Sequence, residues 1–237
     1  HWPSISVIHY NSQYYRPAIS LLQDGGFRAG PGVEFSTMGT PLYSILLAIP
    51  IGIFGIDHSS LAIIFIQCFL LYLTGIITRK FSIVFLKKES FLLHSLIIFN
   101  PNSLITAHLV QTETLFTLFL VLSVYYLFKL IDKNSFKYVF LLSVSLGLLT
   151  LTRPAGLYLI YLAPVLLLGF VYINNRTKIK DYAITAFLLV VFSLSVLSPW
   201  VIRNYLVFDE VFVSANAGPY LKDQYIQLLK ISRQWNE

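Results

Sequence analysis

Three residues at the ends of apolar runs have types and spacing suited to chemistry on an anionic ligand. Glu113 follows Gln111 and Thr112, where one apolar run ends and the next begins. That position is the first turn of a helix, whose positive dipole end favours the ionised carboxylate. The plainer reading is that Glu113 only complements the dipole, with Thr112 as N-cap. Arg153 stands in Leu151-Thr152-Arg153-Pro154, and Pro154 suits the first position of the next helix. A guanidinium beside a helix N-terminus is unfavourable for that helix, and a bound phosphate reverses the sign. The plainer reading there is an arginine snorkelling to the interface. Arg203, followed by Asn204 and Tyr205, lies just beyond Pro199 and Trp200. An interface anchor explains Trp200 well and Arg203 less well.

Weaker candidates surround these three. The first 40 residues offer Asn11, Tyr14, Tyr15, Arg16, Asp24 and Glu34, and His108 falls near the same surface as Gln111. His94, on an apolar stretch, reads as a packed, hydrogen-bonded helix residue. No metal-ligand spacing, P-loop, dinucleotide fingerprint or nucleophile elbow is present. A divalent cation is compatible with the acids, although no ligand spacing marks a site for one.

The elements that must carry these residues are membrane helices. The chain has 237 residues, 56% of them hydrophobic and 12% charged, and its mean hydropathy is +0.71. Soluble domains carry about 25% charged residues, so there is too little polar surface here to cover a water-soluble globule. The net charge of +6 does not indicate nucleic acid, because the basic residues are scattered between apolar runs rather than gathered on one face. Cys68 is the only cysteine, which excludes an internal disulfide and leaves the redox compartment undetermined. The chain begins with His1 and no leader precedes the first apolar run, which reads as a fragment that has lost an N-terminal anchor.

Apolar segments fall at about 41–56, 59–78, 90–108, 113–131, 137–151, 155–173 and 182–202. A short helix is expected around Tyr14 to Gln23, and a kink at Asn100-Pro101-Asn102. Alternate connections hold ten of the 17 basic residues: Arg79, Lys80, Lys87 and Lys88, then Lys129, Lys133 and Lys137, then Arg176, Lys178 and Lys180. The positive-inside rule puts these in the cytoplasm and Glu113, Arg153 and Arg203 on the outer face. Six spans starting at Leu61 satisfy the pattern. The segment 41–56, short and containing Pro50, either crosses or lies in the outer interface, and the interfacial reading keeps the first loop outside. The expected organisation is an all-α polytopic bundle: an external part with interfacial helices over 1–58, a transmembrane bundle over 59–204, and the truncated start of an external segment over 205–237.

At these residues the chain resembles the membrane-embedded GT-C glycosyltransferases. It is most similar to the group containing dolichyl-phosphate-mannose–protein mannosyltransferases and the bacterial lipid A aminoarabinose transferase. Five segments match in order. They are Asn11 to Ala18 running on to Phe27, Thr40-Pro41-Leu-Tyr43 through Gly55, Asn100-Pro101 through Phe116, Leu151 to Gly156, and Pro199 to Tyr205.

The resemblance implies sugar transfer, with inversion, from a polyprenyl-phosphate-linked donor at the outer leaflet of a bacterial or archaeal plasma membrane. The partners it implies are that lipid-linked donor, membrane lipid and an unspecified acceptor. Arg153 and Arg203 would stabilise the departing phosphate, with Asn204, Tyr14, Tyr15, His108 and Gln111 lining the substrate. Glu113 would orient the acceptor or share the base's work. The family's loop acid falls at Asn11, and an amide cannot take a proton. Asp24 or Glu34 then substitutes, Glu113 acts alone, or this copy is inactive. The competing classes are a membrane transporter, which would show paired repeats and polar midplane sites, and a non-catalytic protein that binds lipid-linked sugar.

Overall fold

A computed structural model describes residues 14–32, 34–35, 39–174 and 176–214. Asn11 lies outside these residues. Nine α-helices occur among them: α1 (Tyr15–Gln23), α2 (Pro41–Phe54), α3 (Ser59–Leu86), α4 (Phe91–Ile98), α5 (Pro101–His108), α6 (Glu113–Asp132), α7 (Phe136–Thr152), α8 (Gly156–Asn174) and α9 (Ile179–Phe208). The chain is an all-α membrane bundle. Four helices, α3, α6, α8 and α9, are long and apolar enough to cross a membrane. At 28 and 30 residues, α3 and α9 reach about 42–45 Å, more than the ~30 Å hydrocarbon core requires.

One expected span differs from the expectation. The 90–108 segment is two eight-residue helices, because Asn100 stops one and caps the next. Its side-chain oxygen accepts from Asn102 N at 2.9 Å and Ser103 N at 3.3 Å, with Pro101 in the first turn of α5. The segment expected at 137–151 forms α7, a 17-residue apolar helix. Pro50 lies within α2 without dividing it. His94, expected to be hydrogen-bonded, packs near Gly75 with its buried Nδ1 unpartnered among the described residues.

Among the described residues from Ser59 to Phe208 the chain runs between two ends of the bundle six times. Along α3, Ser82 Oγ accepts from Ser90 N, Gly75 faces His94 and Ile98, and Gln67 reaches the Gln111 carbonyl. The broken α4–α5 pair therefore runs back along α3. Phe81 and Phe85 meet Phe128 edge to face, so α6 runs parallel to α3. At the far end Tyr182 Oη donates to the Ile131 carbonyl and Thr185 Oγ1 to Asn134 Oδ1. The connections carrying Lys87, Lys133 and Lys178 share that end. Residues 14–32, 34–35, 39–59, 109–113, 152–156 and 200–214 collect at the other.

The main apolar core joins α6, α7, α8 and α9 through Leu130, Leu142, Leu146, Leu149, Ile160, Leu167 and Leu189. Small residues let α7 and α9 approach closely, as membrane helices require when no water drives them together. A Cβ on Gly147 would lie 2.5 Å from Val196, and Ser143 Oγ donates to the Leu189 carbonyl at 3.2 Å.

Candidate active site

Glu113 is the first residue of α6, and Arg153 is the residue on which α7 ends. The two helices form an antiparallel hairpin, so both side chains stand at its open mouth. Arg153 Nη1 donates to Glu113 Oε1 at 2.9 Å. Both side chains are partly exposed, Arg153 at 41% and Glu113 at 37%. The second carboxylate oxygen, Oε2, is buried and has no hydrogen-bond partner among the described residues. An ionised oxygen left this way is costly unless a donor reaches it.

The local dipole frame of Arg153 differs from the expectation. Helix α8 begins at Gly156, and Pro154 and Ala155 form a turn before it. Arg153 therefore caps the C-terminus of α7, where its N–H donates to the Leu149 carbonyl. A cation there is favourable, as an anion is at the N-terminus of α6. Each charge suits its own helix. Thr112 stands at the N-cap of α6 but makes no side-chain capping bond, so Glu113 is the group that meets the dipole.

The turn that aims Arg153 depends on Gly156. A Cβ at that position would sit 2.7 Å from the Thr150 backbone, and Gly156 N donates to the Arg153 carbonyl. Thr40, before α2, donates its hydroxyl to the Thr152 carbonyl at 2.7 Å, a buried bond that ties the first segment to this turn. The Arg153 guanidinium also lies 5.8 Å from the Phe116 ring.

Behind the pair, Tyr43 of α2 and Gln67 of α3 are buried together, with Gln67 Nε2 donating to Tyr43 Oη at 2.6 Å. Tyr14 meets Tyr43 edge to face at 5.5 Å. Burial first, and the Glu113 charge second, push the Tyr43 phenol far above its usual range, so it stays neutral.

Arg203 is engaged elsewhere. Its Nη2 donates to the Phe27 carbonyl at 2.7 Å and its Nη1 to Asn204 Oδ1 at 2.8 Å. Its guanidinium lies between 4.9 and 5.8 Å from the Trp200, Phe35, Phe208 and Phe27 rings. Fully buried Asn204 donates to the Phe212 carbonyl, and Trp200 Nε1 to the Val213 carbonyl. Trp200 is thus a buried clamp rather than an interfacial belt residue. An apolar cavity of about 500 Å³ opens beside this cluster, lined among others by Phe27, Ile45, Leu151, Pro199 and Arg203.

A sequence model of the dolichyl-phosphate-mannose-protein mannosyltransferase family matches residues 38–202. The chain belongs to that family. No curated protein and no solved structure matches it. Membership makes it an integral membrane protein of the GT-C glycosyltransferase type.

The matched region of this mannosyltransferase-family chain contains the Glu113–Arg153 pair, and the remaining expected residues divide around it. Tyr15 is buried, its hydroxyl donating to the Ile56 carbonyl and lying 3.2 Å from Ser59 Oγ, so it anchors α1. Asp24 Oδ2 accepts from Gly32 N at 2.9 Å and Ser20 Oγ at 3.3 Å, and lies 4.0 Å from Arg28. Glu34 is exposed, and its carbonyl accepts from Ala29 N. Neither acid bonds to Glu113 or Arg153 among the described residues. His108 is exposed with Nδ1 at 2.7 Å from the Leu104 carbonyl, and Gln111 contributes its carbonyl to Gln67. Among the described residues no three His, Cys, Asp or Glu side chains come together as metal ligands.

Gln67 escaped the sequence reading. Its only signal was a lone amide within a long apolar helix, where an unpaired polar group is expensive.

Proposed function

We propose that this chain transfers a sugar from a polyprenyl-phosphate-linked donor at the outer membrane face, with Glu113 and Arg153 as its polar centre. The observation that carries this reading is the buried, unpartnered Oε2 of Glu113 beside a guanidinium with one hydrogen bond among the described residues. The oxygen is suited to accept a proton, and the guanidinium keeps donors for an anion. An acceptor hydroxyl would attack the anomeric carbon from the side opposite the phosphate, forming the new glycosidic bond with inversion. The bond from the anomeric carbon to the phosphate oxygen breaks, and its electron pair leaves with the lipid phosphate. The hydroxyl proton goes to Glu113, and Arg153 neutralises the departing charge. The apolar cavity bounded by Leu151 and Arg203 suits the first part of a polyprenyl chain. The basic connections at the opposite end support an outward-facing site.

A photoreactive polyprenyl-phosphate analogue, added to membranes holding the full chain, tests the reading. Labelling should be displaced by excess polyprenyl phosphate and lost in Arg153→Ala. Labelling equal to that of bulk membrane proteins would contradict it. A second reading, a non-catalytic protein that binds lipid-linked sugar, is favoured by Asn11, which the resemblance aligns with the family's loop acid. It predicts displaceable labelling with no sugar transfer.

A further inference from the structure

Gln67 is 1% exposed, near the site end of α3, in the apolar first part of a helix whose charged residues, Arg79 and Lys80, lie toward its other end. A buried amide in such a helix is retained at a cost unless its donors are used. Both hydrogen bonds from its nitrogen lead toward the site. One is Tyr43 Oη at 2.6 Å on α2, and the other is the Gln111 carbonyl at 3.2 Å.

Gln111 lies in the non-helical turn between α5 and α6, two residues before Glu113. That turn has little regular bonding of its own. Leu109 N reaches the Thr106 carbonyl at 3.3 Å and Gln111 N the Leu109 carbonyl at 2.8 Å before α6 begins. One amide group therefore joins α2, α3 and the turn that delivers Glu113 to Arg153. The Gln67 side chain is oriented by Tyr43, which is itself fully buried.

We infer that Gln67 is a positioning residue: through the Gln111 carbonyl it sets the turn so that the Glu113 carboxylate meets Arg153. The catalytic consequence rests on the proposed transfer reaction; the geometric claim does not. Removing the donor frees the Gln111 carbonyl and lets the turn relax by an ångström or so, enough to lower turnover without touching the substrate. Tyr43→Phe, which keeps the bond from Gln67 to Gln111, should be the milder change.

The test uses the full chain in membranes with Cys68 replaced by Ser and cysteines at 113 and 153. A short bis-methanethiosulfonate reagent reports their separation. Gln67→Met, similar in size but without a donor, should slow crosslinking about tenfold. A control pair at Arg79 and Glu89, which are exposed and in contact at the opposite end, should crosslink at the unaltered rate, which establishes that the fold there is intact. In the chain that keeps Glu113 and Arg153, Gln67→Met should lower kcat about 10–100-fold with donor KM nearly constant. Unchanged crosslinking in Gln67→Met would overturn the inference. Slower crosslinking in a chain that never transfers sugar would uphold the positioning role and remove the proposed reaction.

Discussion

Arg153 Nη1 and Glu113 Oε1 meet at 2.9 Å across the mouth of the α6–α7 hairpin, forty residues apart in the chain. The hairpin places the positive end of one helix dipole beside the negative end of another, and the two side chains match those ends. An exposed pair of this kind contributes only about 0.2–1 kcal/mol to stability. A pair that contributes so little to stability is open to the role proposed for it.

Exchanging the charges separates these roles. Glu113→Arg combined with Arg153→Glu can restore an ion pair but puts the proposed base and the proposed phosphate-binding group in each other's places. Membrane insertion should persist while transfer stays at least about 100-fold below the native chain. Assays of the double variant beside Glu113→Gln and Arg153→Ala check this, and full activity of the double variant would make the pair merely structural.

Gly156→Val should disturb Arg153 without touching it. The added side chain meets the Thr150 backbone at a distance no packed atoms tolerate. Overpacking of this kind costs about 1–3 kcal/mol, read as a lower unfolding midpoint of the detergent-solubilised chain together with lost donor binding.

Thr40→Val removes the hydroxyl that donates to the Thr152 carbonyl. Leaving that buried acceptor unpaired should cost about 1–3 kcal/mol. Thermal unfolding of Thr40→Val against the native chain measures it, and Thr40→Ser, which retains the donor, should recover most of the loss.

Arg203 holds the Phe27 segment against α9 by one hydrogen bond and its stacked rings. Arg203→Lys keeps the charge but loses the planar fork. Trypsin should then cut after Arg28 several-fold faster than in the native chain, while cleavage at the opposite end is unaffected. Equal cleavage rates at Arg28 would mean that the clasp contributes little.

Much of this architecture is legible from run lengths and charge. The apolar stretches near 113–131 and 182–202 became α6 and α9 because a continuous apolar run has one stable state in lipid, a helix with its backbone bonds closed internally. Asn100-Pro101 marked the place but suggested only a kink; the capping by Asn100 outweighs apolar continuity and separates two helices. Glu113 and Arg153 were recognisable as charges at helix ends. Their direct bond was not, because it depends on where the 153–156 turn ends one helix and starts the next. Gln67 was hidden inside the apolar run 59–78, because its partners Tyr43 and Gln111 lie 24 and 44 residues away in the chain. Arg203 was legible as a charge near a surface, whereas its bond to Phe27 joins residues 176 apart and leaves no local pattern.

The central claim is that Glu113 and Arg153 act on a lipid-linked sugar. Membranes carrying the full chain, supplied with radiolabelled polyprenyl-phosphate-linked mannose as probe, measure this most directly. The account predicts label transferred to a membrane or envelope acceptor by the native chain, reduced about 100-fold or more in both Glu113→Gln and Arg153→Ala. Equal transfer by the native chain and both variants would contradict it.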